Sequence, residues 1–110
     1  MKRVFISVPM NSRPIEDIRK DIDEMSEYLY NKIEDIEIVD SLLTQEPQRD
    51  YSEPRLYYLG HALVKMAECD IVAFAKGYRN SKGCRVEEQA AIEYGLNRLY
   101  LDIPDYEEDL

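Results

Sequence analysis

The chain is short of the residues that build metal centres and covalent crosslinks. Its 110 residues include one histidine, His61, and two cysteines, Cys69 and Cys84, which lie outside any Cys-x-x-Cys spacing. That excludes the usual Cys/His zinc patterns and a disulfide framework. No metal or other cofactor is expected, and the cysteines read as free thiols in a reducing compartment. Positive charge is scarce as well: 14 basic residues face 23 acidic ones, for a net charge of −9 at pH 7, and no basic run interrupts the excess. Such a field repels nucleic acid polymers and anionic membranes. It still permits a small anionic metabolite, because one helix N-terminus with a few local donors can hold a phosphate. Long apolar runs are missing too, and none approaches the length of a membrane span. The opening run from Met1 to Val8 stops at Pro9 without the longer apolar stretch of a signal peptide. It reads as a first strand, and a cytoplasmic protein is expected.

Hydrophobic residues at 45% and charged residues at 34% suit one soluble globular domain spanning residues 1–110, with no internal repeat or linker. Val4 to Val8 is a β-prone run ended by Pro9. Pro14 suits a first helical position, with Glu16 and Asp17 near the positive end of the helix dipole. Ile15, Ile18, Ile22, Met25 and Leu29 then recur three and four apart, which places them on one helical stripe. Ile36 to Asp40 reads as a second strand. Residues 41–54 contain Pro47 and Pro54 and read either as a long loop or as a loop with an added short helix. A second helix is expected from about Arg55 to Glu68, with Leu56, Leu59, Leu63 and Met66 on one face.

The stretch from Cys69 to Gly95 organises the rest. Ile71 to Ala75 is an apolar strand, a polar turn follows, and a third helix runs from about Gly83 to Tyr94 with Gly95 as its C-terminal cap. Arg98 to Leu101 reads as a last strand. The tail, 102–110, holds five acidic residues and is expected to be solvated. Alternation of strands and helices predicts an α/β fold: a flavodoxin-like or Rossmann-like three-layer sandwich with a parallel sheet ordered 2-1-3-4. Ligands of such sheets bind outside the carboxyl ends of the strands where the order reverses. The crevice is therefore expected between Ser7 to Arg13 and Lys76 to Glu87.

Within that crevice, Ser81, Gly83, Glu87 and Ala91 form the pattern Ser-x-Gly-x-x-x-Glu-x-x-x-Ala after an apolar strand that opens with Asp70. It resembles the signature of the nucleoside 2-deoxyribosyltransferase superfamily. The likeness is greatest to the deoxynucleoside 5′-monophosphate N-glycosidases and to the small relatives grouped as domain of unknown function 4406. Phe5-Ile6-Ser7-Val8-Pro9-Met10 matches the latter's Tyr-Ile-Ser-Gly-Pro-Met, and Ala75 to Cys84 matches its Pro-Gly-Trp-x-x-Ser-x-Gly-Ala loop. The resemblance implies Glu87 as the nucleophile at C1′ of a 2-deoxyribosyl group. It also implies a nucleoside or nucleotide substrate contacted by Ser7, Pro9, Met10, Asn11, Gly77, Tyr78, Ser81 and Gly83, and a homo-oligomer whose neighbouring subunit closes the pocket.

The chemistry is sound on its own terms, since an ionised carboxylate stabilises developing oxocarbenium character and then collapses onto it. Ser81 reads equally as a helix cap, and Glu87 stands beside Glu88 and Glu93, which read as solvated. The family's acid-assisting aspartate falls at Ala62. Its neighbour His61 is the candidate acid, while surface packing is the alternative for a lone helical histidine. Tyr51, Tyr57 and Tyr58 suit packing against a base or a subunit interface. An N-glycosidic-bond-cleaving enzyme is expected, the alternative being a nucleotide-binding module without turnover.

Overall fold

The computed structural model describes residues 1–10, 12–42, 47 and 49–101. The expected contacts of Asn11, part of the long loop and the tail 102–110 lie outside the described residues. Four parallel strands, β1 (Lys2–Ser7), β2 (Ile36–Val39), β3 (Ile71–Phe74) and β4 (Asn97–Tyr100), form one sheet in the order β2-β1-β3-β4. This is the expected 2-1-3-4 order. From β1 the chain turns to β2 on one side and later returns to β3 on the other, so the switch point lies between β1 and β3. There Ser7 pairs in register with Phe74, and the Ala75 amide extends the ladder by donating to the Ser7 carbonyl at 3.0 Å.

The two central strands, β1 and β3, are buried on both faces, as the period-2 alternation of side chains requires of a covered parallel sheet, whereas the edge strand β4 is largely exposed. Val4, Ile6, Val8, Ile36, Ala73 and Ala75 point to one face, where α1 (Ile15–Lys32) lays down Ile18, Ile22, Met25 and Leu29. Phe5, Val39, Val72 and Phe74 point to the other, where α2 (Pro54–Met66) contributes Met66 and α3 (Lys82–Glu93) contributes Cys84 and Ala91. Ser7 follows Phe5 by two residues and so shares the α3 face.

The α1 stripe is the predicted one with a change at its start. Pro14 has an extended ψ of 143° and caps the helix from outside, and Ile15, in the first turn, is 47% exposed. Glu16 and Asp17 occupy that turn and Lys32 the last, complementing the dipole. The expected α2 face is only partly realised. Met66 is buried, whereas Leu56 is 64% exposed because the sheet lies under the C-terminal part of the helix alone. α2 starts at Pro54, where Glu53 accepts from the Arg55 amide at 3.2 Å and holds its guanidinium at 2.7 Å.

α3 ends as predicted at Gly95, whose φ of 75° is the left-handed conformation that favours glycine. Gly95 N–H donates to Ile92 C=O and Leu96 N–H to Ala91 C=O, the paired bonds of a Schellman cap. A feature absent from the sequence expectations is a 3-10 turn at Tyr78–Asn80, entered through Gly77 at φ 84°. Asp70 lies at the opposite edge of the sheet from Ser7, where its carboxylate accepts from the Arg3 amide at 3.0 Å and its own amide donates to the Arg3 carbonyl at 2.8 Å.

Candidate active site

Glu87 sits in the second turn of α3 and reaches across the switch point to β1. It is 8% exposed, and the Ser7 hydroxyl, itself 1% exposed, donates to its Oε1 at 2.6 Å. Strand alternation turns Ser7 toward α3. Helical spacing of Ser81, Cys84, Glu87 and Ala91 brings that row of side chains down onto it. Two elements distant in sequence thus meet through a buried hydroxyl and a buried carboxyl.

Burial pushes the Glu87 carboxyl up to about 7, while the Ser7 hydrogen bond, which favours the charged form, pulls it down. The group therefore changes charge near neutral pH. Perturbed carboxyls of this kind concentrate at functional sites. Cys84, 2% exposed, shares the cluster: burial raises its thiol pKa, opposed by hydrogen bonds with the Ser7 and Ser81 hydroxyls.

Ser81 is 5% exposed and caps α3, its Oγ accepting from the Cys84 amide at 3.4 Å. The capping alternative is thus realised, which does not prevent a ligand contact at the same hydroxyl. With the third amide of the helix satisfied this way, those of Lys82 and Gly83 are the N-terminal donors available to an anion. The first turn of α3 carries no acidic residue, and Lys82 and Arg85 belong to it. Among the described residues, nothing beyond its chain neighbours and the helix's own backbone lies within 4 Å of where a Cβ on Gly83 would stand, so the backbone there is open to approach.

The opposite wall is the turn after β1. Pro9 is half-buried and Met10 is 37% exposed. Arg13 ties the turn together: its amide donates to the Met10 carbonyl at 2.7 Å and its guanidinium to the Pro9 carbonyl at 2.8 Å. The guanidinium also holds Asp21 at 2.6 Å. Sequence reasoning missed this brace.

Other expected site residues stand elsewhere. Tyr78 is 8% exposed and packs its ring on Phe74 at 5.1 Å and Tyr100 at 5.5 Å, so it is a wall of the core. Its hydroxyl donates to Glu88 Oε2 at 3.1 Å, and the Tyr100 hydroxyl donates to the same oxygen at 2.7 Å. Glu88, expected to be solvated, is instead half-buried and ties the loop after β3 to β4. His61 is exposed on α2, meets the Tyr57 ring at a tilt with centroids 4.7 Å apart, and lines a separate cleft with Asp40, Ser41, Leu42 and Lys65. Among the described residues no hydrogen bond joins it to Glu87, whose carboxyl is held by Ser7. Tyr51 and Tyr57 stack on each other at 5.0 Å, and Tyr58 meets Tyr57 edge-on. Ala62 is partly buried against the second core.

Spacing alone could have found Cys84, which lies on the Ser81–Glu87–Ala91 row. Nothing local announces Arg13 or the Tyr100–Glu88 bond. Among the described residues no group of three or more His, Cys, Asp or Glu could hold a metal ion. None of the helices is long and apolar enough to cross a membrane, among the same residues. No known family model, curated protein or solved structure matches the chain.

Proposed function

We propose that the crevice between the carboxyl ends of β1 and β3 cleaves the N-glycosidic bond of a nucleoside or nucleotide, with Glu87 as nucleophile. The observation that carries the reading is the buried Ser7–Glu87 hydrogen bond of 2.6 Å at the sheet's switch point. It joins a carboxyl poised near neutrality to the position where open α/β sheets bind ligands. In the first step a Glu87 oxygen bonds to C1′ as the C1′–N bond breaks, and the base departs with the bonding pair and takes a proton from water. In the second step water attacks C1′, the ester bond to Glu87 breaks, and the carboxylate is regenerated; a second base in place of water gives transfer. The Ser7 hydrogen bond stabilises the ionised carboxylate and fixes its orientation. The free amides at the start of α3, with Lys82 beside them, suit a phosphate on the substrate. The resemblance to nucleoside 2-deoxyribosyltransferases points to the same chemistry, with a second copy of the chain closing the pocket.

One observation favours the second reading, a nucleotide-binding module without turnover. Ala62, where the family's aspartate assists the leaving base, is half-buried against the core beside Leu63 and offers no acid. Incubation with deoxynucleosides, deoxynucleoside monophosphates and NAD-type dinucleotides, followed by chromatography for free base, separates the two. Catalysis predicts release by the wild type and none by Glu87→Gln. Ligand-dependent thermal stabilisation without release supports the binding module.

A further inference from the structure

Of the three helices, α2 is the least covered by its own chain. Among its 13 residues only Met66 is buried, whereas Leu56 is 64% and Val64 62% exposed. At about 100° per residue, His61 and Lys65, which line the cleft beside Asp40, Ser41 and Leu42, mark the flank of α2 toward β2. Leu56, Gly60 and Val64, spaced four apart, fall on the opposite flank, toward α3. On α3 the Glu88 carboxylate accepts from Tyr100 of β4, so the exposed Val86 and the half-buried Ala90 occupy the flank toward α2. The seam between the two helices is therefore apolar and open among the described residues. A contiguous run of exposed apolar side chains, unlike a scattered one, marks a contact surface.

Two features of the seam select its occupant. The first is symmetry, because Leu56 and Val64 stand four residues either side of Gly60. When α2 packs antiparallel on a copy of itself about a two-fold axis at Gly60, each Leu56 meets Val64 of the partner subunit, as a self-complementary interface requires. Gly60 has no side chain to hold the two axes apart. Among the described residues, nothing beyond its chain neighbours and the helix's own backbone lies within 4 Å of where its Cβ would stand. The second feature is charge. The chain carries 23 acidic residues and a net charge of −9, yet α2 contains no Asp or Glu. Its cations are not on the seam either: Lys65 and His61 face the β2 cleft, and Arg55 is held by Glu53 at 2.7 Å. A neutral flank suits a second copy of an acidic chain, and gives an acidic or a basic partner nothing to pair with.

We infer that the Leu56–Gly60–Val64 stripe of α2, flanked by Val86 and Ala90 of α3, is the interface of a two-fold homodimer. Thirteen residues make a helix about 20 Å long, and two helices side by side are about 20 Å across, so the face is on the order of 400 Å² in projection. That lies at the small end of interface sizes and calls for a weak dimer, with Kd of about 10–100 μM. The interface does not depend on the glycosidic chemistry, and it stands whether or not Glu87 is a nucleophile.

The test is sedimentation of the full chain from about 5 to 500 μM, a range that brackets the expected Kd. A monomer–dimer equilibrium is expected, tightening with added salt as the repulsion between two acidic chains is screened. Leu56→Glu and Val64→Glu, both at exposed positions, should each weaken it about tenfold or more while leaving the Tm of the dilute protein unchanged. Gly60→Leu should weaken it as well, yet keep or raise that Tm, because glycine is a poor helix former. The register is read by disulfide crosslinking, since both native cysteines are buried. A mixture of Leu56→Cys and Val64→Cys chains should crosslink to each other faster than either does to itself, because like positions stand about 12 Å apart along an antiparallel pair. A dimer that both glutamate variants retain, or self-crosslinking as fast as mixed crosslinking, would overturn the inference. So would a chain that stays monomeric throughout, which would leave the seam to residues 102–110 or to a different protein.

Discussion

Replacing Glu87 by glutamine should make the protein more stable at pH 8 than the wild type, and by an amount that vanishes in acid. The folded carboxyl titrates at about 7 against an ordinary 4.5, because it is buried. Between those values the folded chain holds a proton that the unfolded chain has released. Unfolding free energy therefore falls as pH rises through this window. The contribution is fully present below about 4.5 and lost above about 7. At about 1.4 kcal/mol per pH unit, the gap makes about 3 kcal/mol. Glutamine keeps the size of the side chain and an oxygen to accept from Ser7, but never ionises. Urea melts of both proteins from pH 4 to 8 should give curves that coincide in acid and diverge to about 3 kcal/mol at pH 8. In thermal melts the divergence corresponds to roughly 10 °C. Parallel curves across the range would refute the claim that Glu87 carries a buried, displaced ionisation.

If Glu87 acts as the ionised nucleophile, kcat/KM for base release should rise with pH through about 7, and Ser7→Ala should move that rise to higher pH while lowering the plateau, as a pH-rate profile will read. Both cysteines are buried, and burial raises the Cys69 thiol to about 11 and pushes Cys84 up as well, so neither should react with a thiol reagent at pH 8 until denaturant is added. Phe74→Ala empties a fully buried site between Tyr78 and Tyr100 and should cost about 3–5 kcal/mol in urea unfolding. Gly95→Ala forces a side chain into a left-handed φ and should cost about 1–2 kcal/mol, measured the same way, although among the described residues nothing beyond the chain neighbours blocks the added methyl.

What could be read in the chain beforehand follows from which signals are local. The α1 stripe of Ile18, Ile22, Met25 and Leu29 is visible because the face of a helix is written at a fixed period. The 2-1-3-4 order is visible because alternation and crossover handedness leave few alternatives. The Ser7–Glu87 meeting follows from those two facts together: strand parity aims Ser7 and helical spacing aims Glu87.

The α2 face shows the limit. Leu56, Leu59, Leu63 and Met66 have the right period, but periodicity does not say how far the sheet extends beneath the helix, and Leu56 is exposed. Glu88 is a second case, since its partners Tyr78 and Tyr100 lie on other elements and only the packed fold brings their hydroxyls to one oxygen. The 3-10 turn at Tyr78–Asn80 has no pattern of its own, and it seats Tyr78 in the core instead of the crevice. Sequence adjacency puts His61 beside the family's aspartate position, yet consecutive helical residues point about 100° apart, and its ring lines the β2 cleft.

The most direct test of the central claim is to trap the covalent intermediate. The protein is quenched in acid during turnover of a substrate that releases base, digested with trypsin, and analysed by mass spectrometry. The account predicts a glycosyl adduct on the peptide from Val86 to Arg98, localised to Glu87 by fragmentation and absent from Glu87→Gln. An adduct on any other residue, or base release that Glu87→Gln retains, would contradict it.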